Sequence, residues 1–259
     1  MIPKKIHFCW LSGDEYPDLI KKCIESWKQK LPDYEFILWD TNKFKLEENI
    51  WVKQAFETKK YAFAADYIRL YAVFNFGGIY LDTDIEVLKS FDSLLHLPYF
   101  VGSEGGGILE AGVIGAEPKS FWVGKCLNYY DNKSFIKNDG TFDMLTLPRI
   151  MMHQISKNNI IIKEIKENIT LPLVSEYSND KLIMFSSDYF CAKNHGTGKI
   201  EVTKNTYCIH HFAMSWLPKS TTFLPNIKRR LMRIIGVKTV EFLIQTFRLD
   251  YIRKTLTKK

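Results

Sequence analysis

The sequence predicts an α/β fold, and three observations carry the prediction. Strand, helix and strand patterns follow one another within the first forty residues. A long apolar helix pattern ends on the glycine pair Gly77-Gly78. The short apolar strand pattern after that pair ends in two carboxylates, Asp82 and Asp84. A βαβ opening lays its strands parallel, and such folds place ligands beyond the C-terminal ends of the strands.

The elements follow in order. Residues 5–11, Lys5-Ile6-His7-Phe8-Cys9-Trp10-Leu11, read as a first buried strand, broken by Ser12-Gly13-Asp14. In residues 17–30, Leu19, Ile20, Cys23, Ile24 and Trp27 recur at helical spacing, and residues 34–39 read as a second strand. Residues 51–76 read as mostly helical, with Gly77 as a C-cap and residues 85–88 continuing the strand beyond Asp84. Residues 99–102 and 111–115 read as short strands around Gly105-Gly106-Gly107, a lid or a turn. Residues 120–132 and 143–156 read as helices, the second kinked or started by Pro148. Residues 160–200 alternate apolar runs with polar turns, and residues 207–211 read as a strand.

At 259 residues the chain can bury one large core with a small appendage, so two parts are expected, 1–225 and 226–259. Its five cysteines form no Cys-x-x-Cys pair and four lie in apolar surroundings, which reads as reduced thiols of a cytoplasmic protein. No signal-peptide pattern and no run of 18 apolar residues occur, so neither export nor a spanning helix is expected. The net charge of +7 is local: residues 226–259 hold ten Lys or Arg against Glu241 and Asp250. That tail interleaves charge with Leu231, Ile234, Ile235, Phe242, Leu243 and Phe247, as a pair of amphipathic helices would. It reads either as a surface for anionic membrane lipids on the inner face of the cell membrane or as helices packed on the body. Nucleic-acid binding is not expected, because the basic residues join no recognised nucleic-acid fold.

The chemistry centres on Tyr80-Leu81-Asp82-Thr83-Asp84. If the strand continues through it, Tyr80, Asp82 and Asp84 point one way. Two carboxylates side by side repel unless a cation lies between them. Hard oxygen ligands suit Mn²⁺ or Mg²⁺, which keep open positions for phosphates, so a metal-bound diphosphate is the first reading. Residues 61–81 carry two charged groups only, Asp66 and Arg69, three apart on one helix face. They read as a buried ion pair, as a polar pair for the hydroxyls of a sugar or ribose, or as both. One of His210 and His211 could complete the metal shell; otherwise they are a packed pair.

These residues resemble a known family. Ala64-Ala65-Asp66-x-x-Arg69 with Gly77-Gly78-Ile79-Tyr80-Leu81-Asp82-Thr83-Asp84 resembles the sugar-binding Asp-x-Asp region of glycosyltransferase family 32, which includes bacterial capsular and surface polysaccharide transferases and fungal mannosyltransferases; the large glucosylating toxins share a related core. Ile2-Pro3-Lys4-Lys5-Ile6-His7-Phe8-Cys9-Trp10 resembles its opening strand, and Ile209-His210-His211-Phe212-Ala213-Met214-Ser215-Trp216 its closing segment. The resemblance implies a GT-A fold, a nucleotide-sugar donor, a divalent metal (usually Mn²⁺) and transfer with retention. It implies nucleotide contacts from Phe8 and Trp10, with Trp10 stacked on the base, and donor-sugar contacts from Asp66 and Arg69. Tyr80 and Asp82 would line the nucleotide and hydrated metal, while Asp84 and His210, or His211 in its place, would ligate it. Ser215 and Trp216 would close over the diphosphate. Asp66, Arg69 and Asp82 are the implied catalytic set. Thr146-Leu147-Pro148 departs from the Thr-Gly-Pro of many relatives, and the loop from Glu104 to Glu110 is assigned to the acceptor side.

The expected activity is therefore transfer of a hexose, from UDP-galactose or UDP-glucose, to a hydroxyl of a polysaccharide or lipid-linked oligosaccharide. None of these motifs places a free carboxylate as nucleophile, which favours front-face attack by the acceptor. Two other functions use the same residues. A metal-dependent phosphohydrolase would hydrolyse nucleotide sugars without acceptor and would not need Trp10. A membrane-attached, non-catalytic module would bind donor without turnover.

Overall fold

The computed structural model describes residues 1–165, 174–194 and 196–213, with Met232, Gly236 and Thr239 beyond them. Ser215, Trp216 and nearly all of the expected basic tail lie outside the described residues. The chain divides into two compact units, and every residue whose structure is described below belongs to the first, residues 1–192 with 201–213.

β1 (Lys5–Cys9), α1 (Asp18–Lys30) and β2 (Glu35–Trp39) form the expected opening. The strands pair in parallel from Lys5 beside Glu35 to Cys9 beside Trp39. α1 buries Ile20, Cys23 and Trp27, the apolar positions of its sequence stripe. The single helix expected over 51–76 is two, α2 (Ile50–Glu57) and α3 (Tyr61–Phe76). The chain reverses at Lys59, with φ 57°, and the Lys60 amide donates to the Ala55 carbonyl. No glycine or proline marks that break, so apolar spacing ran across it.

The joint after α3 needs both of its glycines. Gly77 caps the helix with φ 62°, its amide donating to Val73. A Cβ on it would lie 2.6 Å from Pro118 Cδ, and one on Gly78, at φ 103°, 2.8 Å from the Lys5 carbonyl. That close approach lays β3 (Gly78–Leu81) parallel beside β1, Ile6 opposite Ile79. His7 locks the same corner. Trp39 Nε1 donates to His7 Nδ1 at 3.0 Å, so His7 Nε2 carries the proton that the Gly77 carbonyl accepts at 2.8 Å.

Burial, partly opposed by the Gly77 hydrogen bond, pushes His7 down from 6.5 to about 4. A depressed folded pKa makes this contribution to stability complete above pH 6.5 and lost as pH falls toward 4. The loss amounts to about 3 kcal/mol at ~1.4 kcal/mol per unit. Urea unfolding of the wild type is expected to weaken across that window, and His7→Gln to flatten the slope there. Equal slopes in the two proteins would remove His7 as the cause.

β4 (Ile85–Val87) does not extend β3 as expected. It pairs antiparallel with β9 (Cys208–His210), away from the main sheet. Between them come β5 (Tyr99–Gly105), β6 (Ile108–Ala116), α4 (Phe121–Leu127), α5 (Leu147–Lys157), β7 (Ile161–Ile165), β8 (Lys181–Phe185) and α6 (Ser187–Phe190). Gly105, Gly106 and Gly107, all at positive φ, make the connection of the β5–β6 hairpin. Pro148 sits in the first turn of α5 and starts it, with Leu147 in the core.

The main sheet runs β2-β1-β3-β6-β5-β8-β7. β6 is antiparallel to both neighbours, and the other pairings are parallel. Both faces are buried: Tyr80 and Ile114 pack with Trp51 and Ile68, and Ile79 and Phe8 with Trp27 and Phe100. The α/β class expected from the sequence is present, with a βαβ opening and a mostly parallel sheet. All five cysteines are buried and none is in a disulfide. Among the described residues no helix is long and apolar enough to cross a membrane.

Candidate active site

β3 stops at Leu81, so strand alternation does not orient the carboxylates; this corrects the expectation. Asp82-Thr83-Asp84 is a turn, closed by the Ile85 amide on the Asp82 carbonyl at 3.0 Å. The turn still gathers the two acids, because each is held from a different side.

Asp82 is held by α3. Arg69 Nη2 lies 3.1 Å from Asp82 Oδ1 and Nη1 donates to Oδ2 at 3.2 Å, a bidentate fork. The same guanidinium reaches Asp66 Oδ1 at 3.1 Å and donates to the Ala111 carbonyl at 2.7 Å. Its carbon lies 4.7 Å from the centre of the Tyr80 ring, and the Tyr80 hydroxyl donates to Asp82 Oδ1 at 3.1 Å. Asp66 and Arg69 are thus the expected buried pair, joined to Asp82.

Asp84 is held by β9 and the residues after it. The Ala213 amide donates to Asp84 Oδ2 at 2.7 Å, and His210 Nε2 lies 3.4 Å from Oδ1. Pairing of β4 with β9 sets Ile85 opposite His210 and so brings the imidazole to the turn. The other imidazole nitrogen, Nδ1, lies 3.1 Å from Glu110 Oε1. His211 is not brought to the cluster: its Nε2 lies 2.8 Å from Glu86 Oε2, a carboxylate shared with Lys22.

The environment separates the two acids. Burial raises Asp82 above the usual carboxylate range, against the pull of Arg69, and neighbouring Asp84 adds to the rise. Burial acts on Asp84 as well, but His210 and the Ala213 amide outweigh it and hold Asp84 at about 2. Asp66 is pushed up to about 7 by burial, against Arg69. His210 is raised despite burial, by Glu110 and Asp84.

One oxygen each from Asp82 and Asp84 and one nitrogen of His210 all lie within 4.8 Å of one another. Two hard oxygens and an imidazole suit Mn²⁺ or Mg²⁺. Trp10 follows β1 as Asp82 follows β3, at the same end of parallel strands. Its Nε1 donates to the Asp14 carbonyl and its ring meets Tyr16 edge-on at 4.8 Å. Phe8 is placed elsewhere, in the core against Trp27 at 5.5 Å. The strand turns Cys9 toward Tyr80 and Arg69 in its stead.

Residues 17–101 match the glycosyltransferase sugar-binding region containing the DXD motif. Over this region the chain is similar to DXD-containing glycosyltransferases. It is similar to a mannosyl phosphorylinositol ceramide synthase of Saccharomyces cerevisiae, 32% identical over 52% of this chain and 37% of that one. It is also similar to inositol phosphoceramide mannosyltransferase 3 of Schizosaccharomyces pombe, 32% identical over 39% of this chain and 29% of that one. The chain therefore spans about a third of the length of these relatives. Among solved structures it is similar to the PaToxG glycosyltransferase at 20% identity and a TM-score of 0.45, over 60% of this chain and 69% of that one.

At this site sequence reasoning missed Glu110 as a partner of His210, and Gly112. Glu110 is the one acid in the otherwise apolar β6, a signal that was present. A Cβ on Gly112 would lie 2.8 Å from Glu110 Oε1, 3.1 Å from Asp82 Oδ2 and 3.1 Å from His210 Cε1. Gly112→Ala is expected to lower stability by about 1–3 kcal/mol, the usual range for overpacking, read by urea denaturation. An unchanged midpoint would mean that the three side chains move aside freely.

Proposed function

We propose that the protein is a metal-dependent retaining hexosyltransferase, acting from a nucleotide sugar on a hydroxyl of a polysaccharide or lipid-linked oligosaccharide. The observation that carries the reading is the convergence of Asp82, Asp84 and His210 beside the Arg69 fork. Asp82, Asp84 and His210 would hold the divalent ion, Mn²⁺ or Mg²⁺. When bound, that ion stabilises negative charge developing on the leaving diphosphate.

The chain's own residues bind and orient. Trp10 offers a ring for the base at the mouth of β1. Both terminal nitrogens of Arg69 are engaged by Asp66, Asp82 and Ala111, so it fixes those carboxylates rather than receiving a phosphate. Asp66 then turns its remaining acceptor capacity to donor-sugar hydroxyls. Asp66, Asp82, Asp84 and Glu110 all have partners, which supports front-face attack. In that step the anomeric carbon–phosphate oxygen bond breaks as the bond to the acceptor oxygen forms. The acceptor's proton passes to the leaving phosphate. A glycosyl adduct trapped on Glu104, at the end of β5, would overturn this route. Ser215 and Trp216 are assigned to the diphosphate and residues 226–259 to an anionic membrane surface, both by resemblance and composition.

UDP-galactose or UDP-glucose is the first choice of donor, and a mannosyl donor the second, favoured by the names of the fungal relatives. A thermal-shift panel of UDP-galactose, UDP-glucose and GDP-mannose, each with and without Mn²⁺, tests the reading. A true donor at a hundred times its Kd adds about 2.7 kcal/mol, and only with metal present. Absence of any donor-dependent shift would sink it, and rapid hydrolysis without acceptor would transfer it to a phosphohydrolase.

A further inference from the structure

We propose that Glu110 is a positioning residue of the metal site: it holds His210 from behind so that Nε2, and not Nδ1, is offered to an ion beside Asp82 and Asp84. The inference rests on the metal-dependent reading above and extends it to a residue outside the Asp-x-Asp motif.

Glu110 is 1% exposed, in the middle of an apolar strand. Its Oε1 accepts the Gly112 amide at 2.5 Å and faces His210 Nδ1 at 3.1 Å, and the Cys191 thiol also donates to the carboxylate. A carboxylate buried in a core is costly even when it is paired, and an apolar side chain of the same size would pack β6 at least as well. Its place is explained by what it does to the imidazole.

Two contacts define that imidazole. Phe212 stacks on it, ring centres 4.0 Å apart and planes 26° apart. Stacking fixes the plane of the ring but is indifferent to a half-turn about its axis, which would exchange Nδ1 with a carbon. Glu110 removes that freedom: its carboxylate accepts the Nδ1 proton and leaves Nε2 facing the Asp84 side, 3.4 Å from Oδ1, where an ion would take the place of its proton. Histidines that bind metals generally use such a carboxylate, and its loss typically weakens metal affinity 10–100-fold. Gly112 makes the passage possible, because any Cβ there would stand against both Glu110 Oε1 and His210 Cε1.

The test is Mn²⁺ binding without donor, followed by electron paramagnetic resonance, on wild type, Glu110→Gln, Glu110→Asp and Glu104→Gln. Melting curves first establish that each variant is folded. Glu110→Gln should weaken Mn²⁺ 10–100-fold. Glu110→Asp keeps the charge but shortens the reach, and it should weaken Mn²⁺ similarly. Glu104→Gln removes the same charge from a neighbouring strand and should shift affinity by less than about threefold. Imidazole ¹⁵N spectra recorded with Mg²⁺ bound should show the His210 proton on Nδ1 alone in the wild type and a mixture in Glu110→Gln, a change that a merely structural role would not produce. Wild-type affinity in both Glu110 variants would overturn the positioning role alone. Equal losses in Glu110→Gln and Glu104→Gln would reduce it to a general field. Zn²⁺ binding lost with Cys191→Ser would place the ion on the other side of His210, where Glu110 and Cys191 also converge, and would likewise overturn it. A wild type that binds no Mn²⁺ would instead sink the metal-dependent reading itself.

Discussion

Asp84→Ala should reduce donor-dependent turnover by ~10³-fold or more, the largest functional loss expected of any single substitution here. Asp84 is the acid kept ionised, with its pKa at about 2, whereas burial raises Asp82. It therefore supplies the dependable negative charge of the cluster, and an ion beside Asp82 and His210 alone would be held by one carboxylate already committed to Arg69. The substitution also acts on folding. A pKa depressed from 3.8 to about 2 is stability present above pH 3.8 and lost as pH falls through 2, about 2 kcal/mol. Asp84→Asn separates the two effects, since its side-chain oxygen can still accept from the Ala213 amide. Asp84→Asn keeps that bond but loses the charge paired with His210, so it should melt between wild type and Asp84→Ala without donor and stay close to Asp84→Ala in activity. If Asp84→Asn transferred sugar at the wild-type rate, the charge at this position would have no part in catalysis.

The contrast between Asp82 and Asp84 also shows where sequence reasoning reached and where it stopped. The opening βαβ unit, the glycine joint and the acidic pair were legible because each is written in consecutive residues: apolar spacing in 17–30, Gly77-Gly78 and Asp82-Thr83-Asp84. The surroundings of the pair were not, because they come from contacts across long separations. Arg69 grips Asp82 across 13 positions and Glu110 meets His210 across 100. The departure of β4 from the sheet was hidden for a related reason. Ile85-Glu86-Val87 alternates as any strand does, and only its partner, β9, decides which sheet it joins. That partner also separates the histidine doublet: β9 ends on His210, which meets Asp84 and Glu110, and His211, just past the strand, meets Glu86. Phe8 was misread by one position, since the side of β1 that faces the site carries Cys9.

Arg69→Met is expected to be the most destabilising substitution in the site, by about 3–5 kcal/mol, the usual result of removing one partner from a buried ionic group. The guanidinium is shared by Asp66 and Asp82, and both carboxylates lose their counter-charge at once. Arg69→Lys should recover little, because a single ammonium cannot fork onto Asp82 while also reaching Asp66 and the Ala111 carbonyl. The pH dependence identifies the cause. Asp66 is raised to about 7 even with Arg69 present, so its favourable contribution is complete below pH 3.8 and lost as pH rises through 7. Without Arg69 the folded-state pKa of both acids must rise further, so protonation relieves more of the strain. The stability deficit of Arg69→Met should be widest near pH 7 and should shrink toward pH 4, as read from urea midpoints across that range. Arg69→Met with Asp82→Asn should regain part of the loss at pH 7, because one of the two stranded charges is gone. A deficit that is the same at pH 4 and pH 7, with no recovery in the double variant, would assign the loss to the packing of the Arg69 stem on Tyr80 and leave the charge network without an energetic role.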